Sequence, residues 1–189
     1  MDIKSYISAS IETKQKILDD KTILDTIQKI SDKIVETYKN GGKVLTAGNG
    51  GSAGDAQHIA GELVSKFFFD RPALCAFALS ANTSVLTSIG NDYGYECSFS
   101  RQIEAQAKKG DVFIAISTSG NSQNIVKALE TARKIGVITV GLVGEKECKT
   151  DRLCDFLIKV PSSVTPTIQE SHIMIGHIIC GIVEEKMFK

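Results

Sequence analysis

The chain has 189 residues, 42% hydrophobic and 23% charged, ordinary proportions for a soluble globular protein with one sizeable core. Lys plus Arg and Asp plus Glu each total 22, so the formal charge is zero. That balance removes the electrostatic footprint of a nucleic-acid-binding protein and is compatible with surface buried in an oligomer. The five cysteines contain no C-x-x-C pair and read as reduced thiols. The N-terminal residues lack signal-peptide regions and no apolar run is long enough to span a membrane, so a cytoplasmic location is expected.

Residues 3–40 carry apolar positions three and four apart, from Ile3, Ile7 and Ile11 to Ile27, Ile30 and Ile34, which predicts two helices stopped by Asn40-Gly41-Gly42. Short apolar runs follow at 43–47, 73–79, 111–117, 137–143 and 156–160. Helical segments are expected near 52–66, 82–90, 97–108, 122–135 and 166–187. Runs that are apolar throughout suit parallel strands covered on both faces. The alternation predicts a three-layer, doubly wound α/β fold with a parallel five-stranded sheet. In the flavodoxin-like order 2-1-3-4-5, strands one and three form the switch point where ligands bind. Without repeats or a linker, residues 1–189 are expected to form a single domain, with helices over 1–40 and an α/β sandwich with a C-terminal helix over 43–189.

The loops at that switch point are rich in Gly, Ser and Asn. Gly48-Asn49-Gly50-Gly51-Ser52 lets a ligand approach the backbone, with Ser52 expected to cap the next helix and Asp55 to complete a capping-box variant. A plain capped turn would use the same residues. Gly48-x-Gly50-x-x-Ala53 also matches a relaxed dinucleotide fingerprint, but the second strand ends Leu79-Ser80-Ala81-Asn82 without the acid that holds a ribose. After the third strand, the hydroxyls of Ser117, Thr118, Ser119 and Ser122 with a helix start form a phosphate cradle that uses no Lys or Arg; a hydroxyl-rich turn is the plainer alternative.

His58 and Glu62 are four apart, on one face of a helix. Gln169 and His177, eight apart, share roughly one face of the last helix. His58, Glu62, Gln169 and His177 would make an N/O site for a divalent metal such as zinc, and the Glu and His could instead serve as an acid/base pair. Taken singly, His58–Glu62 is an ordinary surface contact and His177 a core histidine. His172 reads as structural or as a support to that face. Asn91-Asp92, expected just after a helix, is either a turn or a ligand contact.

Three segments together resemble the phosphoheptose isomerases of the sugar-isomerase (SIS) domain family: Ala47 to Glu62, Ile116 to Asn124, and Thr167 to His172 with His177. The resemblance spans nearly the whole chain. It implies a cytoplasmic homotetramer with active sites at subunit interfaces and one zinc per subunit. It also implies interconversion of sedoheptulose 7-phosphate and D-glycero-D-manno-heptose 7-phosphate through an enediol, the first step towards the heptose of bacterial lipopolysaccharide, lipooligosaccharide or capsule. Carried over by position, Ser117, Thr118, Ser119 and Ser122 would hold the phosphate. Asn49, Gly50, Gly51, Ser52, Asn91 and Asp92 would contact the sugar, with Glu62 and Gln169 also at the substrate. His58, Glu62, Gln169 and His177 would bind zinc, and Glu62 and His177 would be catalytic. The alternative is a non-catalytic tetrameric SIS protein that binds a sugar phosphate or a replication-initiator partner; such proteins lack the Glu and terminal His found here.

Overall fold

The structure, a computed structural model, describes residues 2–189. Two helices come first, α1 (Ile3–Asp19) and α2 (Lys21–Lys39). Asp2 caps α1 through the amide of Ser5, and Asp20 caps α2 through the amides of Thr22 and Ile23. In α2 the apolar stripe is buried as its spacing predicts, from Ile23 through Ile27, Ile30 and Ile34. In α1 it is not: Ile3, Ile7 and Ile11 are exposed, and only Thr13 and Ile17 are buried.

Five parallel strands follow, β1 (Val44–Gly48), β2 (Ala76–Ala78), β3 (Val112–Ile116), β4 (Ile138–Gly144) and β5 (Phe156–Val160), in the spatial order β2-β1-β3-β4-β5. Between them lie α3 (Gly51–Val64), α4 (Thr83–Tyr93), α5 (Ser100–Gln106) and α6 (Gln123–Ile135), and α7 (Thr165–Phe188) ends the chain. The order and the helix–strand alternation agree with the sequence reading. The second strand is shorter than the apolar run 73–79, and the segment expected as one helix at 97–108 divides into a 3-10 turn at Tyr95–Cys97 and α5.

Alternate residues of each strand face opposite layers, as the two-residue period requires. Val44, Val112, Ile114, Val140 and Leu142 pack with α2, α3 and α7. Leu45, Ala47, Phe113 and Ala115 pack with Phe99, Ile103, Ile125 and Leu129 of the other layer. Every residue of β1 and β3 is buried, which explains why neither run alternates in polarity. This burial leaves the carboxyl ends of the two central strands as the place where loops from both layers meet.

Candidate active site

Gly48 and Ile116 are register partners at the carboxyl ends of β1 and β3, so the two Gly/Ser/Asn-rich loops start side by side. The first turns more tightly than expected. Gly50, at φ 55°, takes the cap position of α3 and no side chain caps that helix. Ser52 is therefore buried within the first helical turn rather than capping it, because the positive-φ step at Gly50 moves the cap two residues earlier. The Ala53 amide donates to the Gly50 carbonyl at 3.1 Å, which leaves the Gly51 and Ser52 amides as the uncapped donors of the first turn.

Asn49 does not project freely. Its amide pairs reciprocally with Asn124 of α6, donating at 2.9 Å and accepting at 2.8 Å, and the Tyr95 hydroxyl donates to the same Asn49 oxygen at 3.0 Å. The Gly48–Gly51 loop is thus tied to the start of α6. Asn124 closes the Ile116–Asn124 segment but is given no role by the sequence, and Tyr95 belongs to no pattern there.

In the second loop Ser117 and Ser122 bring their hydroxyl oxygens to 3.2 Å, and the Ser119 hydroxyl accepts the Asn121 amide at 3.2 Å. Gly120, at φ 61°, makes the bend, and the Gly144 amide donates to the Thr118 carbonyl at 3.1 Å. Ser122 stands at the N-cap of α6 without bonding its amides, its hydroxyl turned to that of Ser117. Beside Thr118 and Ser119 opens a cavity of about 260 Å³ that also meets Ser162 and Thr165. Lys146, between Glu145 and Glu147, also lines that cavity. A chain-distant loop supplies those residues.

Asn91 and Asp92 lie within the last turn of α4, not after it, because the helix continues to Tyr93 and leaves only at Gly94, φ 88°. Both are exposed, and the Asn91 amide donates to the Asp92 carboxylate at 2.8 Å.

The third group of predicted residues meets between α3 and α7. Glu62 Oε1 lies 3.0 Å from His58 Nε2, and His177 Nε2 lies 3.2 Å from the same His58 nitrogen. One donor atom from each residue falls within a 4.8 Å circle. His58 Nε2 cannot both donate to a carboxylate and accept from His177, so one contact is unsatisfied whichever tautomer forms. A shared cation would resolve this, and imidazole nitrogen with carboxylate oxygen is a donor set that zinc takes. The residues present therefore fit a divalent metal. Phe67 packs against His177 at 5.6 Å between ring centroids. One turn before His58, burial pushes the Asp55 carboxyl up, partly offset by His58, and its Oδ2 has no partner.

Gln169 sits at the other end of α7. Its amide lies against Gly51, and about 12 Å of helical rise separates it from His177. Likewise Glu62 is about 16 Å of rise beyond Gly51, as α3 runs back from the carboxyl edge of the sheet. One chain thus brings Gly48–Ser52, Ser117–Ser122 and Gln169 together at the sheet edge, and His58, Glu62 and His177 together farther down the α3–α7 pair. It does not join the two groups.

His172 belongs to neither group. It is fully buried and donates from Nε2 to the Val143 carbonyl, at 3.2 Å, while Nδ1 has no partner. Burial, only partly countered by that bond, lowers its pKa to about 4, so the ring is neutral.

Residues 5–144 match the family model of the SIS domain. Over 187 residues the chain is 60% identical to the phosphoheptose isomerase of Aneurinibacillus thermoaerophilus, covering 99% of this chain and 94% of that one. The chain belongs to the phosphoheptose isomerases of the SIS-domain family. This isomerase is also 57% identical to phosphoheptose isomerase 2 of Campylobacter jejuni, covering 98% and 92% of the two chains. Its fold superposes on the phosphoheptose isomerase structure from Francisella tularensis with a TM-score of 0.93, at 33% identity, covering 97% of this chain and 96% of that one. Against the enzyme from Neisseria gonorrhoeae the TM-score is 0.90, at 36% identity, with 97% of each chain covered. The family model stops before α7, whereas these full-length relatives extend over the helix that carries Gln169 and His177.

Proposed function

We propose that this isomerase interconverts sedoheptulose 7-phosphate and D-glycero-D-manno-heptose 7-phosphate, supplying the heptose of a bacterial surface polysaccharide. The relatives' shared name supports the reaction, and the convergence of Glu62 and His177 on His58 is the observation that carries the residue assignment. Ser117, Thr118, Ser119 and Ser122 hold the phosphate. Asn49, Gly50, Gly51, Ser52, Asn91, Asp92 and Gln169 contact the sugar.

Ketose-to-aldose conversion moves one proton between C1 and C2 and another between their oxygens. Glu62 removes the carbon-bound proton from C1 and returns it to C2. His177 moves the proton between the two oxygens, so the intermediate is a neutral enediol. Zinc held by His58, Glu62 and His177, with Gln169 as a further donor, would polarise the substrate carbonyl. Metal binding and base strength compete at Glu62, since a ligating carboxylate is less basic.

The same reading makes the protein a homotetramer with its sites between subunits. Two features support that arrangement: the loops and the His58–Glu62–His177 cluster lie far apart along α3 in one chain, and α1 carries exposed isoleucines. Joining the loops of one copy to the α3–α7 cluster of another completes the site. A cytoplasmic location fits the five free cysteines and the lack, among the described residues, of a helix long and apolar enough to cross a membrane.

The test is direct conversion. Purified protein with sedoheptulose 7-phosphate should yield the aldose phosphate, and a chelator should suppress the yield until zinc is returned. No aldose at any zinc level would leave a non-catalytic sugar-phosphate-binding SIS protein.

A further inference from the structure

Arg71 lies between α3 and β2, outside every motif that the sequence singles out. Its side chain is 2% exposed, and each of its three guanidinium nitrogens donates a hydrogen bond. Nη2 donates to the Glu62 carbonyl at 2.8 Å and Nη1 to the Leu63 carbonyl at 2.7 Å. These belong to the last turn of α3, whose carbonyls have no partners within the helix. Nε donates to Glu184 Oε1 at 3.1 Å. Glu184, two turns beyond His177 on α7, is completely buried and accepts the amides of Phe67 and Phe68, both at 2.7 Å. Burial opposes its charge, but those amides and Arg71 hold its carboxyl below the usual carboxylate range.

A buried ion pair is a poor stability device, because desolvation offsets its attraction. This one instead fixes geometry. Its hydrogen bonds reach the turn that carries Glu62, the helix that carries His177, and the residue whose ring backs His177.

We propose that Arg71 and Glu184 are positioning residues that set Glu62 against His58 and His177, by clamping the last turn of α3 and the Phe67–Phe68 backbone to α7. The proposal rests on the reading of that cluster as the acid/base and metal site. Neither residue touches the cluster's donor atoms; each acts through backbone.

The experiment compares zinc-loaded Arg71→Met, Arg71→Lys and Glu184→Gln with Lys43→Met, which breaks the other well-buried pair, Lys43–Asp111, at the opposite end of β1. Arg71→Met and Glu184→Gln should lower kcat at least tenfold with KM within about threefold, since small misplacements of reacting groups are costly. Zinc affinity, measured by competition with a chromophoric chelator, should fall about 10- to 100-fold. Arg71→Lys should recover part of both. Lys43→Met should lose thermal stability yet keep kcat within about twofold. Folded Arg71→Met with kcat and zinc affinity within about twofold of wild type would overturn the proposal. So would an equal kcat loss in Lys43→Met, or failure of all three Arg71 and Glu184 variants to fold, which would assign the pair to stability alone. Wild type that is inactive on sedoheptulose 7-phosphate would sink the functional reading instead, and zinc affinity would then decide this one.

Discussion

His58 and His177 meet Nε2 to Nε2 at 3.2 Å, although 119 residues separate them in the chain. Two facing imidazole nitrogens with a carboxylate beside them repel if all are protonated and leave lone pairs opposed if none is. A divalent cation satisfies all three. His58→Ala and His177→Ala should therefore each lower bound zinc, measured by elemental analysis of dialysed protein, from about one per subunit to near zero. Retention of full zinc by both variants would place the metal elsewhere.

Glu62→Gln keeps the side chain's shape and its place at the end of α3 but removes the base. Turnover should fall about 10²- to 10⁴-fold, with KM changed only a few-fold. Steady-state assays with sedoheptulose 7-phosphate decide it; substantial residual kcat would end the assignment of Glu62 as the proton-abstracting group.

His172 predicts a pH dependence of stability. Its folded-state pKa, about 4, lies below the ordinary 6.5 because burial disfavours the charged ring. The unfolded chain therefore binds the proton more readily. The contribution is fully present above pH 6.5 and is lost as pH falls from there towards 4, reaching about 3 kcal/mol. Urea midpoints of wild type should drop across that window, and His172→Gln should flatten the drop. Parallel curves for the two proteins would remove His172 as the cause.

Gly120→Ala tests the cradle. The position has φ 61°, and an added Cβ would collide with the Cys148 side chain. A cost of about 1–3 kcal/mol is expected. Because the distortion falls between Ser119 and Ser122, KM for the sugar phosphate should rise more than kcat falls. An unchanged KM would argue that the phosphate sits elsewhere.

Ile7→Glu with Ile11→Glu tests the exposed face of α1. Both positions are more than half exposed in the single chain, at 53% and 61%. If α1 lies in the proposed tetramer's interface, charges there should shift the sedimentation profile towards smaller species while the circular dichroism of the chain is retained. An unaltered tetramer would move the interface off α1.

Much of this was legible in the residues. Apolar runs without alternation announced the buried strands, the loops after β1 and β3 stood out by composition, and His58–Glu62 by its spacing. Capping was misjudged at Ser52 because composition does not reveal that Gly50 takes a positive φ and starts the helix early. The end of α4 was misjudged because Asn91-Asp92 are turn formers in isolation, yet the helix runs on to Gly94. Arg71 and Glu184 carry no local signal: Glu184 stands beside Glu185 and Lys186 in a stretch that reads as a solvated helix end, and only the fold buries it against Arg71.

By itself, then, the sequence determined the layered parallel sheet, the two Gly/Ser/Asn-rich loops at its switch point and the chemical types of the candidate site, because periodicity and backbone chemistry are local. Only the tertiary structure decided which of these residues meet. It brought His177 to His58 and Glu62, tied Asn49 to Asn124, and held Gln169 and the serine loop apart from that cluster. Those outcomes depend on how α3 packs beside α7 and how the loop after β1 meets the start of α6, relations between segments far apart in the chain that no local pattern encodes.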